Sequence, residues 1–437
     1  MLDTAVPAPG TAVDRLVRER VASRLAARGA GQARPGWVDA PRSARPLAGQ
    51  VDVLHAALSS VGVTRVLAVT AGAVALDAAA LGPGEPRLLP LDTPDAGRVA
   101  DVLEGDLEAL GLVVSVPPGV GRAGVDAVTA LVQGALRAEG IDPVARTVAV
   151  VAPGATAPPA GTVIEGPADV HDAWTAFTPY ALVPAGLAGT DVHALLDAAG
   201  EPCGHDGAEN PALVLAALLA AAPEVELAGL DAAHTELVTV LRGPRPVAPP
   251  SFGPPPLRIT GGGLDPATGD GGVHLGGPPA GVLHLLQWAV AAAGYLLGTD
   301  PTDPATPDPT LPPLAFTDGA VEVHGGAWLA GAATVGDALH ALLSTHDGPI
   351  ALHAHLDPEL DASVAVLRER LARRTGRRVT FTWAPGRPPV GDLAVQLTGD
   401  VIQDGPAPPG PGPDGLRLHL QDRLAGLVTL ARAVQDL

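Results

Sequence analysis

Lysine is absent from all 437 residues, and cysteine, methionine and asparagine each occur once, as Cys203, Met1 and Asn210. Without lysine, a Schiff-base amine is excluded and so is a lysine laid on a phosphate, so arginine does all of the cationic work. A single cysteine cannot form an internal disulfide. No long uninterrupted apolar run is present either. The longest apolar stretch, Gly281 to Gly298, is broken by His284 and Gln287 and is rich in Ala and Gly, which favours a buried helix over a membrane span. The start, Met1-Leu2-Asp3-Thr4, lacks the positive region and apolar core of a secretion signal, so a cytoplasmic location is expected.

Hydrophobic residues make up 47% of the chain and charged ones only 17%, enough apolar material for two or three domains with sizeable cores. The formal charge of -20 repels polyanions over the surface as a whole, which argues against extended nucleic acid or an anionic membrane as partner. Small anions are not excluded by it.

Short β-branched runs alternate with longer Ala/Leu-rich helical patterns, the signature of parallel sheets covered by helices. Strands are predicted at Arg65 to Thr70, Gly111 to Val116 and Thr147 to Val151, with helices at Val51 to Val61, Ala73 to Leu81, Gly97 to Leu110 and Ala123 to Glu139. Gly140 fits the cap of the last of these. A second set follows the Pro/Gly-rich stretch 154–166. It has helices at Tyr180 to Ala199, Pro211 to Ala222, Val282 to Leu297, Trp328 to Ser344, Pro358 to Thr375 and Gln421 to Asp436. Its strands are expected at Leu237 to Leu241, Leu257 to Thr260, Ile350 to Leu356, Val379 to Trp383, Leu393 to Thr398 and Leu416 to Leu420. The expectation is α/β: two doubly wound parallel-sheet domains, with an N-terminal helical extension over 1–48, a first domain over 49–178, and a second over 179–437 that ends in a helix.

Five constellations bear on chemistry. The turn Thr70-Ala71-Gly72-Ala73 lies where doubly wound sheets bind ligands, yet keeps one glycine and offers methyl groups in place of hydroxyls; it reads either as a phosphate turn or as a plain connection. The next turn, Ser115-Val116-Pro117-Pro118-Gly119-Val120-Gly121-Arg122, has flexible glycines and an arginine before a helix. Its two prolines remove two N–H donors, which leaves an anion site and an exposed turn both open. His353 and His355 share one face of a strand without a third ligand close in sequence, the pattern of ordinary sheet-edge histidines. Cys203-Gly204-His205-Asp206 reads as a polar loop, because adjacent residues rarely take up nucleophile and base geometry. The arginines from Arg368 to Arg378 read as a solvated helix end.

Several stretches resemble glucose-6-phosphate isomerase, in particular its actinobacterial form with two sugar-isomerase (SIS) domains. The run Gly281 to Pro301, with Leu296-Leu297-Gly298-Thr299-Asp300-Pro301, is similar to the family's long helix and the turn after it. Leu182 to Val192 is similar to the signature between its domains. Gly36 to Arg42, Arg137 to Pro143 and Ala315 to Val323 match further pieces in order. The similarity covers roughly residues 35 to 437, and the chain is identified as a degenerate member.

The departures fall on the chemistry. Isomerisation needs a carboxylate to carry a proton between C1 and C2, groups to open the ring and a hydroxyl-rich phosphate loop. The family's Gly-Met-Gly-Gly-Ser-Ser falls on Thr70 to Ala75, its phosphate loop on Ser115 to Gly121, its substrate-side Arg on Ala173 and its catalytic Glu on Val240. Its His-Lys-Gly-Gly-Pro falls in a shortened stretch between Trp383 and Leu393, and its Asp-Gln-Pro has become Asp303-Pro304-Ala305. The resemblance therefore implies a cytoplasmic homodimer of sugar-phosphate metabolism with impaired or no catalysis, no cofactor and no metal. A residual phosphate site is expected at Gly72, Ser115, Gly119, Gly121 and Arg122. An active isomerase, or another sugar-phosphate enzyme on the same scaffold, remains the alternative.

Overall fold

A computed structural model describes residues 2–4, 10–27, 36–82, 87–119, 121–170, 172–199, 203–222, 225–230, 232–241, 257–261, 272–302, 311–358, 360–384, 393–402, 410–412 and 414–437. The chain divides into two compact units. One comprises Met1–Asp92, Asp106–Leu241 and Phe252–Pro304, and the other Thr93–Gly105, Arg242–Ser251 and Ala305–Leu437.

The first unit holds β1 (Leu2–Thr4), β2 (Arg65–Val69), β3 (Leu88–Leu91), β4 (Leu110–Val116), β5 (Thr147–Val151), β6 (Thr162–Glu165), β7 (Val225–Ala228), β8 (Leu257–Gly261) and β9 (Gly272–Leu275). Five of these form a sheet in the order β3-β2-β4-β5-β6 with every pair parallel. The chain builds outward from β2 first to β3 and then, on the other side, to β4, β5 and β6, so the topological switch point lies between β2 and β4. The sequence of β4, Leu-Gly-Leu-Val-Val-Ser-Val, is buried at every position, as a strand covered on both faces must be. The other sheet runs β1-β9-β8-β7, with β1 antiparallel and the rest parallel.

Helix Arg122–Ala138 lays Val125, Val128, Val132 and Leu136 inward at helical spacing, and Gly140, at φ +77°, follows it in the left-handed conformation that the absence of a Cβ permits. Helices Pro211–Ala221 and Pro279–Leu297 are apolar almost all round because both lie in the core of this unit. The latter is long and apolar enough to cross a membrane, but 78% of its most apolar window is buried inside the protein. The apolar girth of Pro211–Ala221 is thus accounted for without a second subunit.

The second unit holds β10 (Leu314–Asp318), β11 (Val321–His324), β12 (Ile350–His355), β13 (Val379–Trp383), β14 (Leu393–Thr398) and β15 (Leu416–Leu420). They form one sheet in the order β10-β11-β15-β14-β12-β13, parallel from β15 to β13 and antiparallel at β10 and β11. Its apolar face, with Leu352, Val395, Leu397 and Leu418, packs with residues of helices Val335–Thr345, Val366–Thr375 and Arg423–Asp436. Helix Ala96–Glu104, which the chain forms between β3 and β4, belongs to this unit, tied by Ala96 N–H to the Asp400 carbonyl at 3.3 Å and Ile402 N–H to the Pro94 carbonyl at 2.8 Å.

The fold class is α/β with parallel sheets, as the sequence implies. Several predicted elements differ. Leu237 to Leu241 belongs to helix Ala232–Val240 and its last turn, not to a strand. Ala233, His234, Leu237, Val238 and Leu241 are all buried, at spacings of one helix face, and a short apolar run does not by itself distinguish helix from strand. The span Tyr180 to Ala199 is two helices, Pro179–Leu187 and Val192–Ala198, parted at Gly189 (φ +105°) and restarted by Asp191, whose carboxylate accepts the Ala194 N–H at 2.9 Å. Trp328 to Ser344 and Pro358 to Thr375 each open with a short 3₁₀ turn before the α-helix.

Candidate functional site

The turns after β2 and β4 flank the switch point of the five-stranded sheet, at the carboxyl ends of its strands, the place where open α/β sheets take ligands. All five predicted site residues, Gly72, Ser115, Gly119, Gly121 and Arg122, lie on these two turns or at the strand end that feeds them. The turns are linked directly, since the buried Thr70 hydroxyl donates to the Ser115 carbonyl at 2.8 Å.

Each turn leads into a helix whose start has no side-chain cap. Ala73 precedes Val74–Leu81, with Gly72 at φ +67°, and Gly121 precedes Arg122–Ala138, with Gly119 at φ +76°. These positive φ values explain why glycine occupies both turns. A Cβ at Gly121 would meet nothing within 4 Å, so that position opens onto free space.

The polar side chains here are committed to the protein. The Ser115 hydroxyl is buried and donates to the Tyr180 carbonyl at 2.8 Å, so it pins β4 to the start of helix Pro179–Leu187 and is not presented at the turn. The Arg122 guanidinium sits 2.9 Å from Asp126, one helical turn on, and also donates to the Thr156 carbonyl. Further back, the Thr175 hydroxyl donates to the buried Asp77 carboxylate at 2.6 Å, in the first turn of helix Val74–Leu81. Ala173, where the family's substrate-side arginine falls, is buried. Burial pushes the Tyr180 phenol well above its usual range, and its hydroxyl donates to the Pro167 carbonyl at 3.1 Å.

Helix N-termini carry partial positive charge, which favours an anion at either turn. Proton transfer would need a general base as well. Val240, where the family's Glu falls, is the last residue of helix Ala232–Val240. The stretch expected to carry the lysine motif, 385–392, and Asp303 to Ala305 lie outside the described residues, as does Val120.

The Cys203 loop and the histidine pair lie away from these turns along the chain. Asn210 caps helix Pro211–Ala221: its Oδ1 accepts the Ala212 N–H at 3.0 Å, while its Nδ2 donates to the Cys203 and His205 carbonyls at 2.6 and 2.7 Å. Asp206 accepts the Ser23 N–H at 3.1 Å, and burial pushes the Cys203 thiol up to about 11, which suits a packed thiol and not a nucleophile. His353 and His355 face each other edge to face with ring centres 4.4 Å apart, and no cluster of metal ligands occurs among the described residues. Local sequence does not pair Asp77 with Thr175: a lone Asp in an Ala-rich helix start is a signal, but its partner lies 98 positions away.

No protein-family model matches the sequence, and no curated protein matches it significantly. Among solved structures, the chain is similar to a hypothetical protein of Thermus thermophilus, at 17% identity and a TM-score of 0.53 over 69% of this chain and 96% of that one. It is also similar to a glucose-6-phosphate isomerase of Chlamydia trachomatis, at 15% identity and a TM-score of 0.47 over 65% of this chain and 75% of that one. The first likeness shows a shared fold, and the second adds nothing to that.

Proposed function

We propose that the chain is a non-catalytic protein on a sugar-phosphate isomerase-like scaffold, a cytoplasmic homodimer that binds a sugar phosphate weakly at the switch point of its first sheet. The reading rests on the sequence motifs that resemble glucose-6-phosphate isomerase. The observation that carries it is the state of the polar groups between β2 and β4: both hydroxyls and the guanidinium already hold protein acceptors, while Ala73 and Gly121 give the helices they precede no side-chain cap. Such a site attracts the phosphate of a ligand through backbone dipoles. Among the described residues of the two turns there is no carboxylate or imidazole to carry a proton between C1 and C2, without which the reaction slows by orders of magnitude. Gly72, Gly119, Gly121 and Arg122 form the phosphate end in this proposal, and Ser115 holds the turn in place.

A coupled assay with glucose 6-phosphate tests the first half: no turnover above background is expected, and an ordinary rate on the order of one per second overturns it. Thermal shift with glucose 6-phosphate and 6-phosphogluconate tests the second half, because a ligand of the native state raises apparent stability. A rise in Tm that shrinks in Arg122→Ala and with added salt is expected. No shift with either ligand at millimolar concentration removes the binding role.

A further inference from the structure

Helix Val366–Thr375 carries Arg368, Arg370, Arg373 and Arg374, all exposed, against one acid, Glu369. Among the described residues, the guanidinium of none of the four takes part in an ion pair or hydrogen bond. Arg377, just beyond the helix, shows what a structural arginine looks like in this unit: it donates to the Leu343 and His346 carbonyls at 2.7 and 2.5 Å and lies 3.6 Å from Asp347. The helix dipole accounts for Arg373 and Arg374 in the last turn, but it disfavours Arg368 in the first. The helix therefore holds cations that its own fold does not use. Val366, one turn before Arg370, is 52% exposed, and Leu360, just upstream, is 68% exposed.

The first unit has the complementary surface. At the amino ends of β2, β4 and β5, opposite the candidate site, lies a cavity of about 820 Å3 with exposed Asp106, Glu108, Glu139 and Asp142 on its lining. The carboxyl ends of helices Arg45–Ser60 and Arg122–Ala138 open onto it at Val61 and Glu139, adding negative partial charge. Its one arginine, Arg146, is spent on the Glu108 and Val61 carbonyls at 2.7 and 2.9 Å.

We propose that the chain self-associates by seating the arginine helix of one copy against the acidic cavity of a second copy. The net charge of -20 repels a free polyanion at long range. At moderate ionic strength that repulsion is screened beyond about 10 Å, while charges in contact still attract. The inference rests on the copy-to-copy association proposed above and is independent of sugar-phosphate binding, so either can fail alone.

Light scattering and sedimentation of the full chain from about 1 to 100 µM, at about 0.1 M and about 1 M salt, provide the test. Mass rising with concentration at low salt and falling to the monomer at high salt is expected. The quadruple variant Arg368→Glu, Arg370→Glu, Arg373→Glu, Arg374→Glu should be monomeric, and so should Glu108→Arg with Glu139→Arg; mixing the two should restore the larger mass. Circular dichroism verifies that each variant folds. If the quadruple variant does not, Gln at the same four positions, a residue of similar helix propensity, replaces it. A wild-type monomer at every concentration overturns the proposal, whether or not the arginines then bind an oligonucleotide. A quadruple variant that still associates, or a mixture that does not, overturns the assigned surfaces.

Discussion

The guanidinium of Arg423 stands 3.0 Å from the Asp361 carboxylate, and its other nitrogen holds Asp95, 328 positions earlier in the chain. Both carboxylates are almost fully buried, and Asp95 is also the N-cap of helix Ala96–Glu104, accepting the Arg98 N–H at 3.1 Å. Arg423→Met leaves two buried carboxylates facing each other without a cation. Removing one partner of a buried pair costs about 3 kcal/mol or more. Amide exchange in Ala96–Glu104 should quicken accordingly, and unchanged protection there would show that the pair does not hold the helix.

Ser115 uses its hydroxyl and its carbonyl in two separate bonds, to Tyr180 and from Thr70. Ser115→Ala should lower stability by about 1–2 kcal/mol by removing a buried donor. Thr70→Val should cost a similar amount, and the double variant should deviate from additivity because both bonds fix the same strand end. Denaturant melts of the three variants measure this; additive effects would mean that the two bonds act independently.

Burial first, and then the charges of His353 and Arg417, hold the His355 imidazole well below its ordinary value. Burial and Arg417 lower His419 too, against the opposing pull of Glu322 and Asp400. Below about pH 6.5 the unfolded chain therefore binds more protons than the folded one, so stability present at neutral pH is lost as the pH falls. The Tm should drop between pH 7.5 and pH 5, and His355→Gln should flatten that slope. A slope unaltered by the substitution would assign the acid sensitivity to other groups.

With burial pushing it up to about 11, the Cys203 thiol carries little thiolate at pH 8. A thiol reagent should label the native protein far more slowly than the unfolded one. Rapid native labelling would indicate that the loop before Asn210 opens often.

The parallel strands were the most legible part of the sequence. Thr147–Val151, Val379–Trp383, Leu393–Thr398 and Leu416–Leu420 have the predicted bounds, because strands buried on one or both faces concentrate β-branched and aliphatic residues between turns. Short edge strands such as Leu88–Leu91 and Thr162–Glu165 escaped, since each has a single sheet neighbour and mixed burial. The candidate site was legible in place: Gly72 and the Ser115 to Arg122 turn meet at the switch point. Its chemistry was not, because the acceptors that occupy Ser115 and Arg122 belong to Tyr180 and Thr156, residues 65 and 34 positions away.

Helix Ala96–Glu104 leaves the first sheet after β3 to join the other unit before the chain returns as β4. On the ribosome, Asp95 emerges long before Arg423. Through most of synthesis the loop that carries this helix therefore has no counter-charge and no strand beside it, while β4 and β5 are already able to close the sheet around its two ends. At roughly 5–20 residues per second, that interval lasts on the order of tens of seconds, a window in which a chaperone or a protease meets a segment that the finished protein ties down through Asp95 and Val99.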